Sequence, residues 1–419
     1  MPVVIIGGGI SGLSLALSLH QVGIPCRVYD AVPQLSPIGH GINLQPNAIR
    51  ELTALGLGER LAAVGILCQE LAFYNKHGQL IWTEPRGRKA GYRWPQISIS
   101  RGTLHEVLLK AIAERLGPDA IVTGHRLASF EQRGDKVIAR FADPAGRVAA
   151  DVEGDLLIGA DGIHSAVRRQ FYPGEKAVFD GYLHYRGVVE TEPYLTGASM
   201  AVTGHRTHRA ITYPIAPRPN GKVLVNWLAY TEIPPGSPPL EAWDTVADKQ
   251  ACIDRFKGWT YPWLDIHGLF AATENVLQLP NVDRDPIPRW SFGRVTLIGD
   301  AAHPMHPVGA QAGSQAVVDA RVLTAALIAH RDPVEALARY QDQRIKAMND
   351  IIIRNRNLGL ETVLQLAEER APGGFAKITD VLTQDELENT ALGFKQAAGL
   401  DLDTVNSRES HVEWPARAG

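Results

Sequence analysis

The run Gly7-Gly8-Gly9-Ile10-Ser11-Gly12 leaves this chain few folds to choose from. Gly7, Gly9 and Gly12 satisfy a GxGxxG spacing. They stand between an apolar stretch at residues 2–6, which reads as a buried strand, and residues 10–22, whose apolar positions recur every three and four residues as on a helix. Each glycine has a geometric task. The first permits the tight turn, the second lets the backbone approach a pyrophosphate, and the third allows close helix packing while the helix N-terminus, near Ser11, faces the anion. Residues 26–30 read as the next parallel strand. It ends in Asp30, with Ala31 beside it, 18 residues after Gly12, where a carboxylate accepts ribose hydroxyl protons and repels a 2′-phosphate. The competing reading is an ordinary glycine-rich βα turn; the carboxylate in register favours dinucleotide binding.

Beyond this unit, residues 46–67 carry two short helical patterns, and 71–82 read as strands with a turn at Lys76-His77-Gly78. Residues 101–116 read as a helix, 120–141 alternate as strands, and 155–159 form another apolar strand ending at Asp161-Gly162. From about 179 to 289 the texture is aromatic-rich and alternating, broken by a Pro-rich loop from Pro234 to Pro239. A buried strand at 294–298 precedes Gly299-Asp300, and long helical patterns follow at 315–329 and 334–369. The expected class is α/β: a Rossmann-like dinucleotide-binding domain, an interleaved β-sheet substrate domain and a C-terminal helical segment. The expected boundaries are 1–70, 98–178 and 290–335 for the first, 71–97 and 179–289 for the second, and 336–419 for the helices and tail.

With 419 residues and 45% hydrophobic content the chain can bury a large core, and a net charge of -3 offers no basic excess for nucleic acid or anionic membrane. The cysteines Cys26, Cys68 and Cys252 are too scattered for a zinc ribbon or disulfide framework. The apolar start lacks a basic leader and is broken by glycines, so a cytoplasmic protein that does not span a membrane is expected. A small molecule is the expected partner, with monomer and homodimer both open.

Two further carboxylates follow buried strands: Asp161 in Gly159-Ala160-Asp161-Gly162, and Asp300 in Leu297-Ile298-Gly299-Asp300-Ala301-Ala302-His303-Pro304. Both should lie at the carboxyl edge of the sheet, where ligands bind. With the glycine motif, in this order, they resemble the group A FAD-dependent aromatic monooxygenases of the para-hydroxybenzoate hydroxylase type, over most of residues 1–350. Within that group the chain is similar to the phenazine hydroxylase branch at Pro37-Ile38-Gly39-His40-Gly41-Ile42-Asn43-Leu44-Gln45-Pro46, Trp82-Thr83-Glu84-Pro85-Arg86-Gly87, Ser98-Ile99-Ser100-Arg101-Gly102 and Asn281-Val282-Asp283-Arg284-Asp285-Pro286.

The resemblance implies FAD as cofactor, transient reduction by NADH or NADPH, and hydroxylation of an electron-rich aromatic or N-heteroaromatic ring by O2 through a flavin C4a-hydroperoxide. It implies that Arg101 contacts the FAD diphosphate or ribose, that Leu127 offers backbone groups to the adenine, that Asp161 serves FAD and nicotinamide binding with Arg168 extending that contact, and that Asp300 accepts from the ribityl chain. Pro307 to Ser314, including Pro307 and Gly313, would form the flavin-ring loop. Many relatives have glycine where Ala310 and Ala312 stand.

Substrate and catalytic candidates are Tyr213, which by the resemblance faces substrate, together with Tyr185, Arg186, Trp227 and His40. Tyr213 and Trp227 either meet a ligand or pack the core; Arg186 pairs with a substrate anion or an internal acid; His40 orients substrate or faces solvent from its loop. The HxxH pairs His205/His208 and His303/His306 lack a convincing third ligand, so no metal is expected, and His303 reads as part of the Asp300 motif. Arg86, Arg88, Lys89 and Arg93, interleaved with Tyr92 and Trp94, read as a solvated loop, with guidance of a nicotinamide phosphate as the other use. The alternative activities are an FAD-dependent oxidase or reductase without oxygen transfer, and a non-catalytic FAD-binding protein.

Overall fold

A computed structural model describes residues 2–35, 39–143, 146–234, 245–357, 361–389 and 399–413. Pro37, Ile38 and all but the first residue of the Pro-rich loop lie outside the described residues.

The first strand, Val3–Ile6, is buried at every position because it runs in the middle of a sheet covered on both faces. Its parallel neighbours are Cys26–Tyr29 on one side and Leu156–Gly159 on the other, extended by Val295–Leu297 and Ile121–Val122 to five strands. The helix Ile10–Gln21 starts at Gly9 and stops at Val22, with Gly23 in the left-handed region at φ 76° closing it. Eight of its residues between Gly12 and Leu19 are buried, and it packs against Arg101–Leu116 and Ala312–Ala329. By composition Val308–Ala329 is long and apolar enough to cross a membrane, but it is mostly buried inside this fold.

The second large sheet has eight strands, in the order Thr245–Val246, Leu277–Arg284, Ala177–Thr191, Val223–Glu232, His208–Pro217, Ser199–Gly204, Glu70–Tyr74, Leu80–Pro85. Its register settles which side chains share a face. Arg186 opposes Leu228, Tyr213 opposes Asn226 and Ile211 opposes Val202, whereas Gly187 opposes Trp227 and Tyr185 opposes Ala229 on the other face. The outer face is covered by two helices the alternating sequence pattern did not suggest, Lys249–Arg255 and Ile266–Ala272, capped by the side chains of Asp248 and Asp265. Their apolar residues, with Trp227, Phe256 and Trp259, form a separate core. The helical pattern expected across 334–369 is two helices, Pro333–Arg356 and Thr362–Arg370, with residues 358–360 outside the described part.

Candidate active site

A cavity of about 610 Å³ runs along the carboxyl edge of the parallel sheet, the size of a cofactor site. Its lining includes Asp30, Ala31 and Leu127, the turn residues Gly7, Gly9 and Ser11, the strand-end residues Asp161 and Asp300, and Arg101, His40, Gly313 and Arg186. The glycines explain its shape. A Cβ on Gly7, at φ 106°, would sit 2.4 Å from the Ala160 carbonyl oxygen, and one on Gly12 would sit 2.0 Å from the Gly7 carbonyl oxygen, so both positions exclude side chains for packing reasons. A Cβ on Gly9 meets nothing within 4 Å. Its bareness serves whatever fills the cavity rather than the fold.

Asp30 accepts from Gly8 N at 2.6 Å and from Val32 N at 2.9 Å, one bond on each oxygen. Each oxygen keeps a lone pair for a ribose hydroxyl. Arg101 is exposed to the cavity and makes no ion pair among the described residues; its backbone N–H donates to the His40 carbonyl, and its stem lies against Gly39. The Asp300 carboxylate sits on a single turn, Gly299–Ala301, with no protein hydrogen-bond partner among the described residues. An arginine without an ion pair, a carboxylate without a partner and a bare glycine fit a dinucleotide with a charged diphosphate and a polyol chain. Replacing Asp300 with Ala should lower flavin content after dialysis while leaving the unfolding midpoint of the apoprotein unchanged; full flavin occupancy would remove Asp300 from the cofactor contacts.

Other expectations need correction. Asp161 lines the cavity, but its carboxylate is consumed by its own chain, accepting from Ser165 Oγ at 2.5 Å and Ala166 N at 2.7 Å to cap the helix Ala166–Phe171. Arg168 does not reach the cavity. It is buried behind the Asp300 turn, donating to the Ala301 and Ala302 carbonyls and pairing with Glu175. Tyr185 and Trp227 are not among the lining residues either. They occupy the outer face of the eight-stranded sheet, where Trp227 Nε1 donates to Thr273 Oγ1 at 2.8 Å and its ring packs on Phe270. The strand period of two sends them away from the face bearing Arg186. Tyr213 is buried with its ring against Gly41 and its hydroxyl near Asn43, beside the cavity rather than in its lining; burial pushes its phenol well above the ordinary range, so it stays protonated at neutral pH.

A second, narrow cavity shares a wall with the first. The segment after Asp300 presents Ala312 and Gly313 to the large cavity, and Pro307, Gly309 and Ala310 to the small one. Ala310 has φ 53°, a left-handed conformation that a glycine would take without strain. The opposite wall is an apolar slab assembled by register: Leu71 pairs with Met200, Phe73 with Val202, and Val202 with Ile211. Arg86, expected on a solvated loop, is 7% exposed and lines this cavity, its charge met by Glu84 at 2.8 Å. Tyr92 and Trp94 are buried too.

The network holding the Asp300 turn was only half legible. His303 belongs to it, but its partner, Asp319, lies on the helix Ala312–Ala329 with no motif to mark it. Asp319 accepts from Gly299 N at 2.9 Å, His303 Nε2 at 2.5 Å and Arg344 Nε at 2.7 Å. Burial alone would raise its carboxyl, but His303 and Arg344 outweigh burial and hold it at about 2. His306 faces Asp180 and Asp283 instead, and no cluster of three or more His, Cys, Asp or Glu that could hold a metal occurs among the described residues.

The sequence family described as FAD binding domain matches residues 1–354. The chain belongs to this family of FAD-dependent oxidoreductases. It is 41% identical over 363 residues to phenazine 1,6-dicarboxylic acid hydroxylase PhzS of Lysobacter antibioticus, covering 85% of this chain and 89% of that protein. It is 30% identical over 374 residues to 3-hydroxybenzoate 6-hydroxylase of Polaromonas naphthalenivorans, covering 86% and 87%. Among solved structures, HpxO of Klebsiella pneumoniae complexed with FAD and uric acid aligns with a TM-score of 0.74 at 26% identity, covering 97% of this chain and 96% of that one. FAD is therefore the dinucleotide the large cavity is built for, with NAD(P)H as the family's electron donor.

Proposed function

We propose that this enzyme hydroxylates a planar, carboxylated aromatic or N-heteroaromatic ring, with the stoichiometry ring–H + O2 + NAD(P)H + H⁺ giving ring–OH + NAD(P)⁺ + H2O. The observation that carries this reading is the wall common to the two cavities: one loop, Pro307 to Gly313, borders the FAD cavity on one side and a narrow slot walled largely by apolar side chains on the other. The names of two relatives, a phenazine dicarboxylic acid hydroxylase and a hydroxybenzoate hydroxylase, support the ring and the carboxylate.

Bound FAD supplies reduction by NAD(P)H and activation of O2, which amino-acid side chains lack. The chain's own residues do the rest. Gly9 and Arg101 receive the diphosphate, Asp30 and Asp300 the ribose and ribityl hydroxyls, and Leu127 the adenine. Leu71, Phe73, Met200, Val202 and Ile211 exclude water from the reacting ring, which protects the activated oxygen from wasteful release. Arg186 and Tyr213, on the sheet face turned toward Gly41, and His40, in the lining of the large cavity, remain the candidates for orienting the ring at the flavin. We assign the five-stranded sheet and its helices to an FAD domain, and the eight-stranded sheet to a substrate domain, with the expected boundaries.

The test is product mass under 18O2 with purified yellow protein, NADH or NADPH, and a panel of hydroxylated and carboxylated rings. A product heavier by one 18O atom is expected. Substrate conversion with no label would replace this reading by that of an oxidase or reductase.

A further inference from the structure

Arg86 stands out among the buried charges. Its backbone N–H donates to the Gln69 carbonyl at 2.8 Å, and Gly87, at φ 53°, turns the chain so tightly that a Cβ there would lie 2.5 Å from the Gln96 nitrogen. Arg86 and Gln96 are thereby pinned together at the rim of the small cavity, 7% and 2% exposed. Arg86 Nε and Nη2 are buried and donate no hydrogen bond, and Gln96 Oε1 has no partner. Nε and Nη2 are adjacent donors on one edge of the guanidinium, the edge that takes a carboxylate bidentately. Glu84 lies 2.8 Å from Nη2 and balances its charge without meeting hydrogen-bond geometry. Buried donors left unused cost stability, so an edge kept in this state fits a ligand that uses it. The other ion lining the slot, Glu361, faces Arg209 at 2.9 Å in the same way, with no hydrogen bond on Glu361 Oε2 or Arg209 Nε, so Arg86 is distinguished by being the cation that lines the slot.

We propose that Arg86 is the specificity-determining anchor for a carboxylate on the substrate ring, placing the ring between the slab and the flavin loop. The assignment rests on the reading of the chain as a ring hydroxylase. The slot encloses about 30 Å³, so the ring enters by parting its walls, and Met200 is the member able to repack most freely. Neither Arg86 nor Gln96 touches the FAD cavity, so substitution there should leave the cofactor in place.

The test titrates oxidised holoenzyme with phenazine-1-carboxylate and phenazine-1-carboxamide, which share a ring and differ in charge, following the flavin absorbance. Wild type should bind the carboxylate at least about tenfold more tightly. Arg86→Gln should weaken carboxylate binding by about tenfold to a hundredfold and leave carboxamide binding and FAD content unchanged. Arg86→Lys should fall between, having charge without the fork. Because Arg86→Gln strands the buried Glu84, the pair Glu84→Gln/Arg86→Gln serves as a folding control and should show the same loss of preference. A preference that survives in both variants, an equal loss for both ligands, or no preference or no binding in wild type would overturn the anchor. Label from 18O2 in an uncharged ring, alongside any of these, would retire the anchor and keep the hydroxylase.

Discussion

Gly12→Ala should yield protein without bound flavin and with an impaired fold, whereas Gly9→Ala should fold normally and lose flavin alone. The first places a Cβ 2.0 Å from the Gly7 carbonyl oxygen, inside the contact that seats the helix Ile10–Gln21 on the strand Val3–Ile6, and both are backbone elements that cannot step aside. Overpacking of this kind costs roughly 1–3 kcal/mol or more. At Gly9 the added methyl enters open cavity, so the apoprotein has nothing to relieve. Near-wild-type flavin retention in Gly9→Ala would mean that the diphosphate does not approach there. Thermal unfolding of the two apoproteins, set beside flavin content of the purified proteins, separates the effects.

Asp319→Asn should be the most destabilising single change among the buried polar residues. It strips His303 and Arg344 of their common anion in a site where Asp319 is fully buried, and breaking a buried pair from one side typically costs about 3–5 kcal/mol. Because Asp319 also holds Gly299 N, the variant should release flavin more readily through the Asp300 turn, without any change to a residue that touches the cofactor. The pH dependence follows from the carboxyl at about 2, below its ordinary value. A depressed acid contributes stability above the unfolded value of about 4 and loses it as pH falls toward 2, a change of about 2–3 kcal/mol. Urea midpoints of wild type and variant should therefore differ most above pH 4 and draw together below it. A gap independent of pH would show that Asp319 acts through shape rather than charge.

Much of the cofactor half was readable from residue order. A GxGxxG at the end of an apolar strand, Asp30 at the end of the next, and Asp300 at the end of a third are local statements: each concerns a few consecutive residues whose backbone geometry has few solutions. The substrate half was not. Tyr185, Arg186 and Trp227 all read as candidates because alternation says that neighbours diverge, not which of them turns toward a ligand; the two short helices Lys249–Arg255 and Ile266–Ala272 decided that by covering the outer face. Arg168 and Asp161 sat in the expected motif, yet their charges are spent on Glu175, two carbonyls and a helix cap.

Sequence alone thus determined the α/β class, the dinucleotide turn and the strand-end carboxylates, because covalent geometry and strand period act over short distances along the chain. Tertiary structure decided that Arg86 is buried beside Glu84 rather than solvated, that Asp319 completes the His303 network, and that one loop divides two cavities. Those outcomes depend on which distant segments meet, and a charge has the same letter whether water or another charge surrounds it.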